Sequence, residues 1–210
     1  MVVTAARLRV TFGYALVLVA VAATLLMLGP DVHAVAIRQM STNLHNLWHG
    51  HLGTLIGSAF VTEDGPMWVW LPGLVCLLAL AELLWRSARL LVTFALGHVG
   101  ATVIVALGLT AAIRFGWISI SVAHASDVGV SYGAAAVVGA LTAAIPQRWR
   151  PAWVGWWLAT AVLVVFIAND FTEGGHFVAL VLGMLLSTRF HTMKAATVAW
   201  TRLRLALLAV

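Results

Sequence analysis

Long uncharged apolar runs constrain this chain more than any other feature. Val10 to Gly29 contains no charged residue, and neither does Leu90 to Ile113. About 20 apolar residues are enough to cross the roughly 30 Å hydrocarbon core of a bilayer. A water-facing surface is excluded as well, because only 9% of the 210 residues are charged while 62% are apolar, against about a quarter charged in ordinary soluble domains. Hydrophobicity on this scale rules out disorder, and the single cysteine, Cys76, rules out a disulfide scaffold. The formal charge of +5 belongs with membrane orientation rather than with nucleic acid, since basic loops beside apolar spans are what orientation requires.

Six spans account for nearly the whole chain. They are read as Val10 to Gly29, about Met67 to Trp85 with a kink at Pro72-Gly73, Leu90 to Ile113, Asp127 to about Ile145, Trp153 to Ala168, and Gly175 to about Thr188. The connection from Asp31 to about Thr54 is long and mixed in character, as expected for short helices lying in the interface. The expected fold class is therefore an all-α, six-helix membrane bundle over residues 1–188, followed by a basic amphipathic tail over 189–210. Arg7, Arg9, Arg86, Arg89, Arg148, Arg150, Arg189, Lys194, Arg202 and Arg204 all fall on one side of this topology, which makes that side, with both termini, cytoplasmic. Asp31, Glu63, Asp64, Asp127, Asp170 and Glu173 fall on the other.

Polar groups inside spans are costly and usually mark function. Ser131 lies one turn into the fourth span, and His176 lies at the start of the sixth. Both spans run inward, so the hydroxyl and the imidazole share a depth near the outer surface, as a nucleophile and its base would. Asp127 is read as the N-cap of the fourth helix, which leaves Ser131 at a positive helix end suited to a developing oxyanion. Gly129, Gly133 and Gly139 on the fourth span and Gly183 on the sixth supply the small surfaces that let helices approach closely.

These residues resemble the rhomboid intramembrane serine proteases. The resemblance rests on Gly129-Val130-Ser131 with Gly139 eight residues on, and on Gly175-His176 followed by Gly183, placed on the fourth and sixth of six spans. It implies a six-span rhomboid-like bundle in which Ser131 is the nucleophile and His176 the general base, cleaving transmembrane protein substrates near the outer membrane face. It also implies a multi-pass protein of the plasma membrane with no cofactor. The pattern departs from the family on the second span. Where the family has a histidine and an asparagine that stabilise the oxyanion, alignment on Glu82 places Pro66 and Trp70. Ala135 stands where an aromatic residue is usual, and the Trp-Arg pair of the family's first loop is absent. Losing one oxyanion donor costs about 100- to 1000-fold in rate. The alternative is thus a rhomboid-like pseudoprotease that binds client helices as an adaptor, chaperone or complex subunit. Backbone N–H groups near Ser131, or Asn43, His45 and Asn46 of the first connection, are the candidate substitutes.

The remaining polar residues have plainer readings. His45, His49 and His51 form an outer cluster read as interfacial, with no HExxH pattern to suggest catalytic zinc. His98 on the third span is expected to bond to a neighbouring helix, with a contribution to the site as its other role. Asp170 and Glu173 are read first as solvated loop acids, with orientation of His176 as the alternative. Apart from protein partners, the expected contact is membrane lipid, and the oligomeric state is not legible.

Overall fold

The computed structural model describes residues 7–63, 65–168 and 170–191. Most of the expected tail, from residue 192 onward, lies outside the described residues. Nine α-helices run in the order α1 (Arg9–Leu28), α2 (Pro30–Met40), α3 (Leu44–Trp48), α4 (Thr54–Gly57), α5 (Met67–Trp85), α6 (Ser87–Arg114), α7 (Ser131–Ala140), α8 (Arg150–Ala168) and α9 (Phe171–His191) among the described residues. A 3-10 turn, Ser58–Phe60, continues α4, and another, Leu141–Ala143, prolongs α7.

Five of these helices are long and apolar enough to cross a membrane: Arg9–Leu28, Met67–Trp85, Ser87–Arg114, Gln147–Ala168 and Phe171–Phe190. The expected fourth span is shorter than its sequence suggested. Its helix, Ser131–Ala143 with the 3-10 turn included, is about 20 Å long. It starts at Ser131 rather than Asp127 because Gly129 takes a φ of 126°, which bends the chain before the helix begins. A short helix is tolerable here because α5, α6 and α9 pack around α7, so it does not have to satisfy lipid along its own length. The loop between α1 and α5 does contain short helices, α2 to α4, and α5 runs unbroken through Pro72.

Packing is decided by small residues. Tyr132, Ala136 and Gly139 recur at helical spacing on the face of α7 toward α9. A Cβ on Gly139 would overlap the Leu180 carbonyl, and one on Gly183 would overlap that of Ala136. On α6, Gly97 makes room for the Ala136 methyl group. The opposite face of α7, with Val137 and Leu141, joins Leu18, Leu74, Leu78 and Leu80 in an aliphatic core. By contrast, α8 buries no side chain and packs mainly on α9.

A buried acid ties the other end of the bundle together. Glu82, 2% exposed near the end of α5, accepts from the Val10 N–H at 3.1 Å, the Thr11 N–H at 2.9 Å, Thr11 Oγ1 at 2.7 Å and Ser87 Oγ at 2.6 Å. The first turn of α1 has no cap of its own, so the carboxylate serves two orphan donors there and holds the start of α6 as well.

Gly183→Val is expected to lower thermal stability by about 1–3 kcal/mol through backbone overlap. Gly155→Val on α8, where nothing lies within 4 Å, should change it little. Unfolding midpoints of the two variants in detergent check this, and equal midpoints would contradict the packing.

Candidate active site

Ser131 is the first residue of α7 and is exposed. No side chain caps this helix, and among the described residues the N–H groups of Ser131, Tyr132 and Gly133 have no carbonyl partner, the first helical bond of the turn being Ala134 N–H to Val130 O at 3.0 Å. Free first-turn N–H groups and the helix dipole make this end of α7 electropositive. Asp127 is therefore not the N-cap that its position suggested. It sits a full turn too early and is occupied elsewhere.

The first connection holds Asp127 and the turn that follows it. The Thr42 N–H donates to the Asp127 carbonyl at 2.9 Å, Thr42 Oγ1 donates to Asp127 Oδ2 at 3.1 Å, and the Asp127 N–H donates to Ser41 Oγ at 2.8 Å. Two residues on, the Gly129 N–H donates to the Ser58 carbonyl at 2.8 Å. Segments far apart in sequence thus fix the turn that presents Ser131.

His176 stands on α9 with its ring packed edge-on against Tyr132, centroids 5.2 Å apart. The Tyr132 hydroxyl in turn lies over Gly175, where a side chain would displace it. His176 Nδ1 is 2.9 Å from Glu173 Oε2, one turn earlier on the same helix. Its Nε2 makes no hydrogen bond among the described residues. The structure brings His176 against the residue next to Ser131, but no hydrogen bond joins Ser131 to His176 among the described residues. Helical phase explains the offset, since Ser131 lies about 100° round α7 from Tyr132. Its own stripe, with Ala135 and Val138, is exposed at Ser131 and half-buried below.

The residues considered for oxyanion support are engaged in holding the fold. The Asn46 amide donates both of its protons, to Arg38 O at 2.9 Å and Ser41 O at 2.8 Å, which leaves none for a substrate. Asn43 Oδ1 accepts from the Asn46 N–H and caps α3. His98, 4% exposed, pairs through Nε2 with Ser58 Oγ at 3.0 Å. Its partner opens the 3-10 turn that continues α4, and its Nδ1 has no partner among the described residues. Gly133 admits the Phe94 ring, and Gly139 and Gly183 make the α7–α9 crossing. The His45 ring lies between those of His49 and His124, tilted to both, with centroids 4.3 and 4.6 Å away. Among the described residues no group of three or more His, Cys, Asp or Glu is arranged to hold a metal ion.

Sequence reading alone did not find the Ser58–His98 pair or the Thr42–Asp127 clamp. The only signal for the first was a polar residue inside an apolar span.

The family model for rhomboid-like proteins matches residues 6–193, so this chain belongs to the rhomboid-like family and is a multi-pass membrane protein. None of the curated proteins and none of the solved structures compared with the chain matches it.

Burial pushes the Asp127 carboxyl above the ordinary aspartate range, against the opposing hydrogen bond from Thr42. A group whose folded value is raised favours the fold where it is protonated, and that contribution is lost as pH rises through the folded value. Asp127→Asn is therefore expected to raise the unfolding midpoint at about pH 7 and leave it nearly unchanged at about pH 3. A variant less stable than the parent at neutral pH would contradict this.

Proposed function

We propose that this protein is an intramembrane serine protease that cleaves transmembrane substrates near the face where α7 begins. The reading is carried by His176: Glu173 holds Nδ1, while Nε2 is unengaged beside the first turn of α7. A carboxylate on Nδ1 selects the tautomer whose Nε2 accepts a proton, as in other serine hydrolases. In the proposed reaction Ser131 Oγ attacks the scissile carbonyl carbon and passes its proton to His176 Nε2. The resulting oxyanion is received by the free N–H groups of Ser131 and its neighbours. As the C–N bond breaks, His176 returns the proton to the leaving amine, and water then hydrolyses the acyl ester with the same imidazole as base. The half-buried stripe below Ser131 offers a lateral approach for a substrate helix. Both termini are read as cytoplasmic on the distribution of basic residues, and the membrane as the plasma membrane on the resemblance to the rhomboid proteases.

A second reading has its own observation in favour. Pro66 before α5 and Trp70 on it offer no oxyanion donor comparable to the family's pair, and the Asn46 amide is fully committed. A rhomboid-like protein of this kind would bind client helices without hydrolysis.

A fluorophosphonate probe separates the two. If the protease reading holds, the folded protein forms an adduct that maps to Ser131. Ser131→Ala and His176→Ala should abolish it, and Glu173→Gln should slow it by about tenfold through the loss of orientation. Absence of any adduct on folded protein would overturn the protease reading in favour of helix binding.

A further inference from the structure

The end of the bundle remote from Ser131 holds a cavity of about 450 Å³ lined by Arg7, Arg9, Arg86 and Ser87, with Glu82 in its wall. All three arginines are exposed, and their guanidinium groups make no ion pair or hydrogen bond among the described residues. Glu82 makes no ion pair with them among the described residues, its carboxylate oxygens being taken up by four neutral donors from α1 and α6. The cavity therefore carries three guanidinium charges against one fully engaged carboxylate.

The backbone adds two further signs. The N-terminus of α6 opens here without a side-chain cap, so a positive helix end faces the same space, while the Val10 and Thr11 N–H groups of α1 are taken by Glu82. In addition, Arg86 adopts φ 73° and ψ 160°, and it is the one positive-φ non-glycine among the described residues. That region is essentially reserved for glycine, and residues held in it cluster at binding sites. An arginine kept where glycine would sit without strain points to a use for its side chain.

We propose that this cavity binds the phosphate of an anionic phospholipid headgroup. The shared chemistry is a phosphate oxyanion held by forked guanidinium donors. A lipid is the source that fits the place, since the cavity opens at the ends of the apolar helices α1 and α5, where headgroups lie. Basic pockets between membrane helices are suited to such ligands. The assignment does not depend on hydrolysis at Ser131.

The test uses the purified full chain in neutral detergent, with the unfolding midpoint followed as phosphatidylglycerol, phosphatidylcholine or inorganic phosphate is added. Phosphatidylglycerol should raise the midpoint, and the other two should not. Arg86→Gly should unfold at the same temperature as the parent or higher without lipid, because the strain is relieved, yet require about fivefold more phosphatidylglycerol for the same shift. Arg9→Gln should weaken the response to a similar degree. Arg148→Gln, a charge loss on another turn of the same end, should leave the response intact. An equal response to phosphatidylcholine, an equal response to inorganic phosphate, or an equal loss in Arg148→Gln would overturn the site.

Discussion

The structure depends on one close crossing, where the backbones of α7 and α9 meet without side chains between them. Lipid is as apolar as leucine, so helices in a bilayer gain little from hiding apolar surface from one another and must be held by contact and hydrogen bonding. Gly139 beneath Leu180 and Gly183 beneath Ala136 maximise that contact from both sides. The crossing also sets register. With those two glycines engaged, Tyr132 meets Gly175 and His176 about two turns above. Dispersion between backbones thereby decides where the candidate base stands relative to the candidate nucleophile.

Polar groups do the remaining work, and few are available. Glu82 links the start of α1, the end of α5 and the start of α6 through one carboxylate. At the opposite end, Ser41, Thr42 and Ser58 hold the turn before Ser131 by main-chain and hydroxyl bonds. This use of donors explains why Asn46 and His98 are not free for chemistry. Each satisfies backbone or hydroxyl groups that would otherwise be buried unpaired, which is expensive away from water.

The apolar runs made the long helices legible, because length and lack of charge are sufficient signals for a crossing. The adjacency of the Ser131 turn and His176 was legible from matched depth and small-residue spacing. The short α7 was not, since Asp127 is a good capping residue by type and nothing local announces that Gly129 turns the chain after it. The clamps were not legible either. Thr42 and Asp127 are 85 residues apart, and helical periodicity carries no information about such pairs. Glu173 lay in between: its spacing from His176 allowed a contact, but a solvated acid has the same sequence signature.

The α7–α9 crossing sets the turn at Ser131 against His176 through the Tyr132 ring. It is tested most directly by placing cysteines at both positions, with Cys76 replaced by serine, and treating native membranes with a short bifunctional thiosulfonate. The two cysteines are expected to be joined within one chain, with Gly183→Val reducing the yield. Two thiols that each react singly with a monofunctional reagent but are never joined would contradict it.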